Sequence, residues 1–216
     1  EKLEVSKDRK TYTYSLNPNA KWSDGSPVTS DDYVFTFEKM MDPKVEAAPA
    51  RSYFGGVKIE KIDATHFKFK VEKPRYDTLL QLNDFFAIQK KQFEKVSDFN
   101  KAKENLYLLG NGPYLLKSIS RDQKVVLERN KTWWAKDLKH TKNRFNFDEI
   151  QYKILADPTL RYETFINGGL DLMTLSSDQF ITQVRGVDKE KFGERPNSGK
   201  KKNSAKCRAA TLPLAY

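Results

Sequence analysis

"KWSDGSPVTSDDYVFTFEKMMD", residues 21–42, holds a tryptophan, a turn, a helix start and an amphipathic run in one stretch. Asp24-Gly25 supplies a tight turn and Pro27 fixes the exit. Thr29 is a helix N-cap, and Asp32, three residues on, completes a capping box and suits the positive helix N-terminus. Val34, Phe37 and Met41 follow at helical spacing, with Phe35 and Met40 widening the stripe. "DPKVEAAP" stops the helix. The preceding "TYTYSL" (11–16) alternates, with Tyr12, Tyr14 and Leu16 on one face, and predicts a half-buried strand. Trp22 and Asp24 read as scaffold of this strand–turn–helix corner.

Downstream, "VKIEKID" (57–63) and "HFKFKVE" (66–72) alternate around Asp63-Ala64-Thr65 and predict a hairpin. Val57, Ile59 and Ile62 share a face only if a bulge slips the phase; the partner strand offers Phe67, Phe69 and Val71. Pro74 opens a short helical patch, "RYDTLLQLND". "FFAIQ" reads as a buried extended piece and "KKQFEKVSDFN" as a short helix. At "LLGNGPYLLKSIS" (108–120) flexible glycines give way to a fixed proline and an apolar strand. "KVVLERN" (124–130) and "DEIQYKIL" (148–155) predict further strands. "DPTLRYETFINGG" predicts a helix with Asp157 as cap, Pro158 at the first position and Gly168 at the end. "LDLMTL" (170–175) predicts a strand and "SDQFITQV" a short helix. This order suggests α/β or α+β organisation with a mixed sheet. We place a domain boundary near residue 109, with 1–108 and 109–216 as two parts. A Gly/Pro crossing between two lobes is a binding-cleft arrangement.

Composition narrows the function classes. The 216 residues suffice for one or two modest domains. Fourteen Phe and ten Tyr favour a fold containing sheet. No apolar run is long enough to span a membrane, and "EKLEVSKDRK" does not have the pattern of a signal peptide. Cys207 is the single cysteine, so a disulfide framework within the chain is excluded. His66 and His140 are isolated and not at metal-ligand spacing, so no metal or other cofactor is expected. The net charge of +10 invites a nucleic-acid reading, but nine basic and three acidic residues in 185–208 supply six of those ten charges. The rest is a mixed-charge surface whose cations do not cluster around aromatics as a stacking platform. No nucleic-acid partner is expected, and 185–210 reads as a basic, loop-rich segment. A basic interaction module built on 185–208 is the competing class. Catalysis has no visible machinery: Asp31-Asp32 and Asp148-Glu149 are adjacent pairs whose side chains diverge, and there is no nucleophile elbow or phosphate loop.

Four ordered blocks resemble one family. "TYTYSLNPNAKWSDGSPVTSDDYVFTFEKMMDP", "GNGPYLLKSI", "VVLERNKTWW" and "FDEIQYKILADPTLRYETFINGGLDLM" are similar to the peptide- and nickel-type extracellular solute-binding proteins of ABC importers. The resemblance implies a type II periplasmic-binding-protein architecture, in which two α/β lobes close over a ligand. It implies that 1–108 is the subdomain interrupting the first lobe and that 109–216 is part of that lobe. Members of the family are usually more than twice this long, so the expectation is a partial fold, the second lobe lying beyond "LPLAY". The function implied is noncovalent capture of peptides, or a similar small solute, outside the cytoplasmic membrane for delivery to a permease. The protein would be periplasmic or anchored at the cell surface, and monomeric at full length. Nickel complexes or oligosaccharides are alternative ligands. The resemblance places ligand contacts at Tyr53, Asn111, Thr174, Leu175 and Tyr216.

Overall fold

The computed structural model describes residues 2–96, 98–102, 109–176 and 179, and the backbone of 209–211. It divides into two compact units, Glu1–Tyr152 and Lys153–Tyr216. The first unit is built on an antiparallel sheet of four strands in the order β1-β2-β4-β3. These are β1 (Lys2–Val5), β2 (Thr11–Ser15), β3 (Val57–Lys61) and β4 (His66–Val71). The central pair aligns Tyr12 with Phe69 and Tyr14 with Phe67, so the period-2 pattern delivers one aromatic face. Helix α1 (Ser30–Met41) covers that face. Phe37, with Tyr33, Met40 and Met41, joins Tyr12, Phe67, Phe69 and Phe85 in one core. The rings meet mainly edge-on: Phe67 and Phe69 lie 5.5 Å apart at 89°, and Phe69 and Phe85 5.7 Å apart at 88°. Such geometry adds to simple area burial. Burial also pushes the Tyr14 phenol up to about 12.

Around this core the other helices are short. α2 (Ala48–Tyr53), absent from the sequence-based expectations, precedes the hairpin; α3 (Thr78–Asn83), α4 (Lys90–Phe93) and α5 (Phe99–Ala102) follow it. Several expectations need correction. The 57–63 strand has no bulge: it ends at Lys61, and Ile62 is 51% exposed in the turn. The register shift occurs instead between Leu116 and Ser118, where β5 (Tyr114–Ser120) pairs with β6 (Lys124–Arg129). "FFAIQ" joins no strand, and Phe86 is 80% exposed beside buried Phe85. "KKQFEKVSDFN" is split into α4 and α5 rather than one helix. On α1 the residue that completes the core stripe is Tyr33, stacked 4.5 Å from Phe67, while Val34, equally half-buried, is not part of this core. Strand β1 was not legible: all four residues are exposed, so no burial pattern marks it.

A second sheet has the order β5-β6-β7, with β7 at Glu149–Lys153. In the second unit, α6 (Pro158–Ile166) starts as its sequence dictates: the Asp157 carboxylate accepts from the backbone N–H of Thr159 and Leu160 at 2.7 and 2.9 Å. It ends at Ile166, and beyond the Asn167 cap Gly168 holds φ +82°, where a Cβ would be strained. α6 packs Tyr162 and Phe165 on Met173 and Leu175. β8 (Leu172–Thr174) pairs in parallel with β9 (Ala209–Thr211), so antiparallel and parallel pairing both occur. Nearly all of the helix expected at "SDQFITQV" lies outside the described residues.

Candidate functional site

The corner at 21–42 is scaffold, and its chemistry explains why it is so polar. Trp22 is buried with Ala20 and Val28. Its indole Nε1 donates to Asp32 Oδ2 at 3.2 Å. Asp32, 5% exposed, also accepts from the Thr29 N–H at 2.9 Å, closing the capping box, and from the Lys90 N–H at 2.8 Å. One buried carboxylate thus joins the corner, the start of α1 and the start of α4. Asp31 turns away and pairs with Lys61 at 2.7 Å. Asp148 and Glu149 diverge likewise, to Arg129 and Lys117. In the turn, Gly25 takes φ +83°. Hydrogen bonds from Ser26 and Gln89 hold the Asp24 carboxyl down to about 2.

The corner is also tied to the Gly-rich crossing. The Ser23 N–H donates to the Gly110 carbonyl at 2.8 Å, and Trp134 packs on the Trp22 cluster. The Asn111 carbonyl accepts from Trp133 Nε1 at 2.9 Å and from Trp134 Nε1 at 3.2 Å. Asn111 is half-buried, with its backbone fixed by two indoles.

Tyr53, at the end of α2, is 44% exposed and lines a hollow of about 320 Å³ with Gly56, Glu72, Arg75 and Gln81. Its hydroxyl donates to Asp84 Oδ2 at 3.0 Å, a bond that raises the phenol above its ordinary range. Its carbonyl accepts from Gln81 Nε2. The lining of this hollow does not include Asn111. Thr174 is exposed on β8. Leu175 is 2% exposed in the small core of α6, so its side chain is walled in by Tyr162, Phe165 and Met173. Tyr216 lies outside the described residues, as does the basic segment 185–208. No group of His, Cys, Asp and Glu suited to a metal ion occurs among the described residues.

A second hollow, of about 220 Å³, was missed by sequence reasoning. It is lined by Arg129, Lys131, Trp133, Lys136, Arg144 and Phe145, beside Pro113 and Asn130. The grouping is not the stacking platform sought in the sequence, for its rings stand at right angles. The signal was present in "ERNKTWWAK" and "KNRFNF", but only the fold brings the two segments together.

The chain as a whole is similar to known proteins. Residues 1–205 match the family described as bacterial extracellular solute-binding proteins, family 5 Middle. The chain is 31% identical over 205 residues to the dipeptide-binding protein DppE of Bacillus subtilis, covering 85% of this chain and 36% of that protein. Among solved structures it is similar to the ABC transporter substrate-binding protein CtaP of Listeria monocytogenes (30% identity, TM-score 0.64, 79% and 34% of the two chains). It is also similar to Haemophilus influenzae OppA in complex with the peptide RPPGFSPFR (27% identity, TM-score 0.65, 79% and 36%). The chain spans about a third of the length of the relatives it matches. No helix among the described residues is long and apolar enough to cross a membrane. The chain belongs to the bacterial extracellular solute-binding proteins of family 5.

Proposed function

We propose that this chain is part of the solute-capturing component of an ABC importer, that its ligand is a peptide, and that capture is noncovalent. The observation that carries this reading is the family match along residues 1–205, joined to likeness with a peptide-bound structure. In this reading residues 1–108 form the interrupting subdomain and 109–216 part of the first lobe. Ligand binding biases an open–closed equilibrium between lobes, and the closed form is presented to a membrane permease. The protein works as a monomer in the periplasm or anchored at the cell surface, and performs no covalent chemistry. Tyr53 and Asn111 contribute a phenol and a carboxamide, Thr174 a hydroxyl, and Leu175 its backbone; Tyr216 is assigned by resemblance. About two thirds of the length of the relatives has no counterpart in these residues, so the second wall of the cleft is assigned to sequence outside them.

Calorimetric titration of the protein as its gene encodes it, with a dipeptide and with RPPGFSPFR, tests this. At least one binds with a Kd of about 1 μM or tighter, and Tyr53→Ala weakens it about tenfold. Residues 1–216 alone bind at least about 100-fold more weakly, since one wall cannot enclose a ligand. Absence of binding to either peptide overturns the peptide reading.

A further inference from the structure

We propose that the hollow beside the Gly-rich crossing is a binding site for a ring-bearing carboxylate, separate from peptide capture. Arg129 on β6 lines it together with Lys131, Lys136 and Arg144. Only one of these four cations is matched: Arg129 Nη2 pairs with Asp148 Oδ1 at 2.6 Å, and that aspartate is itself 80% exposed. Among the described residues Lys131, Lys136 and Arg144 form no ion pair. Lysines without an ion pair also occur elsewhere among the described residues, Lys21, Lys58 and Lys73 among them; what distinguishes this hollow is that four cations line one space. The Arg129 guanidinium is also incompletely used, for its Nε is buried with no hydrogen-bond partner. A buried donor without an acceptor is costly. Four cations around a space of about 220 Å³, with one exposed acid paired to Arg129 alone, favour an anion.

The rings say what the anion is attached to. Trp133 is locked by its bond to the Asn111 carbonyl. Phe145 stands edge-on to it, 5.3 Å away at 88°, and edge-on to Tyr114 at 6.3 Å. Phe145 reaches this position at φ +58°, two residues after Asn143 at φ +64°. A left-handed phenylalanine is an unfavourable conformation retained by its surroundings. The result is an apolar corner of two partly exposed rings at right angles, beside four cations, which suits an oxyanion carried on a ring that can lie against one face and meet the edge of the other. Bare oxyanions would use only the cations.

The test follows the three tryptophan indole N–H signals by NMR in residues 1–216, with Trp133→Phe identifying that of Trp133. The probes are benzoate, its neutral amide benzamide, and acetate. Benzoate is expected to shift the Trp133 signal saturably, with a Kd of about 1 mM for so small a ligand. Acetate and benzamide bind at least about tenfold more weakly. The double variant Lys131→Gln, Arg144→Gln weakens benzoate about tenfold, with the buried Trp22 signal unmoved as the folding control. If that control moves, the unaltered protein decides: raising salt from 0.1 to 1 M weakens benzoate several-fold. No saturable shift, benzamide or acetate equal to benzoate, or indifference to both charge removal and salt overturns the proposal. Its failure leaves the peptide reading standing, because the signal is read at Trp133 and not at the peptide.

Discussion

Asp32 is the residue on which the corner turns. Its carboxylate takes hydrogen bonds from an indole and from two backbone N–H groups belonging to different segments. Asp24, eight residues earlier, sits exposed in its turn, where it accepts from Ser26 and from Gln89, whose amide also donates to the Ser26 hydroxyl. The two acids look equivalent in the sequence but differ in what their loss exposes. Asp32→Ala leaves the indole and the two backbone N–H groups without their acceptor in a largely buried setting, at about 1 kcal/mol or more each, and frees the Thr29 hydroxyl as well, so a loss of about 3 kcal/mol is expected in chemical denaturation. Asp24→Ala should cost under about 1 kcal/mol. Equal effects would show that Asp32 is only a helix cap. The sequence revealed the cap, because Thr29 and Asp32 have the right spacing. It could not reveal the Trp22 and Lys90 partners, which arrive from 10 and 58 residues away.

At the scale of elements, the legible pieces are those whose burial repeats with a period. β2, β4 and α1 carry aromatic stripes, and these strands and this helix were placed correctly by pattern alone. α6 was legible through Asp157, Pro158 and Gly168, whose local chemistry needs no tertiary partner. What escaped has no such signature. β1 is exposed throughout and is held by pairing with β2. Phe85 and Phe86 look alike, yet one is buried and the other 80% exposed. The core they surround is concentrated on Phe67, which is 1% exposed and touches Tyr14, Tyr33 and Phe69. Phe67→Ala is expected to lower stability by about 3–5 kcal/mol, against about 1 kcal/mol or less for Phe86→Ala. A thermal-melt comparison of the two variants checks this; similar shifts would mean that the aromatic face of the sheet is not the core.

For the whole molecule, the corner, the crossing and the aromatic core belong to one compact unit, and the peptide cleft is assigned to the larger family architecture. Of the candidate contacts, Tyr53 and Thr174 are surface residues and Asn111 is half-buried, whereas the Leu175 side chain is enclosed. The family was legible because four ordered blocks span it; contacts in a cleft carry no such local signature, because its walls are distant in sequence. The cationic hollow was illegible for the same reason, its two halves being separated along the chain. The central claim is that this chain belongs to a carrier that holds peptide without altering it. Native mass spectrometry of the protein as its gene encodes it, purified from its host without denaturation, tests this most directly. The account predicts an added mass that is released on unfolding and sequences as intact peptide. A protein that carries no solute and takes up none from an added peptide mixture, or that returns the peptides cleaved, would contradict it.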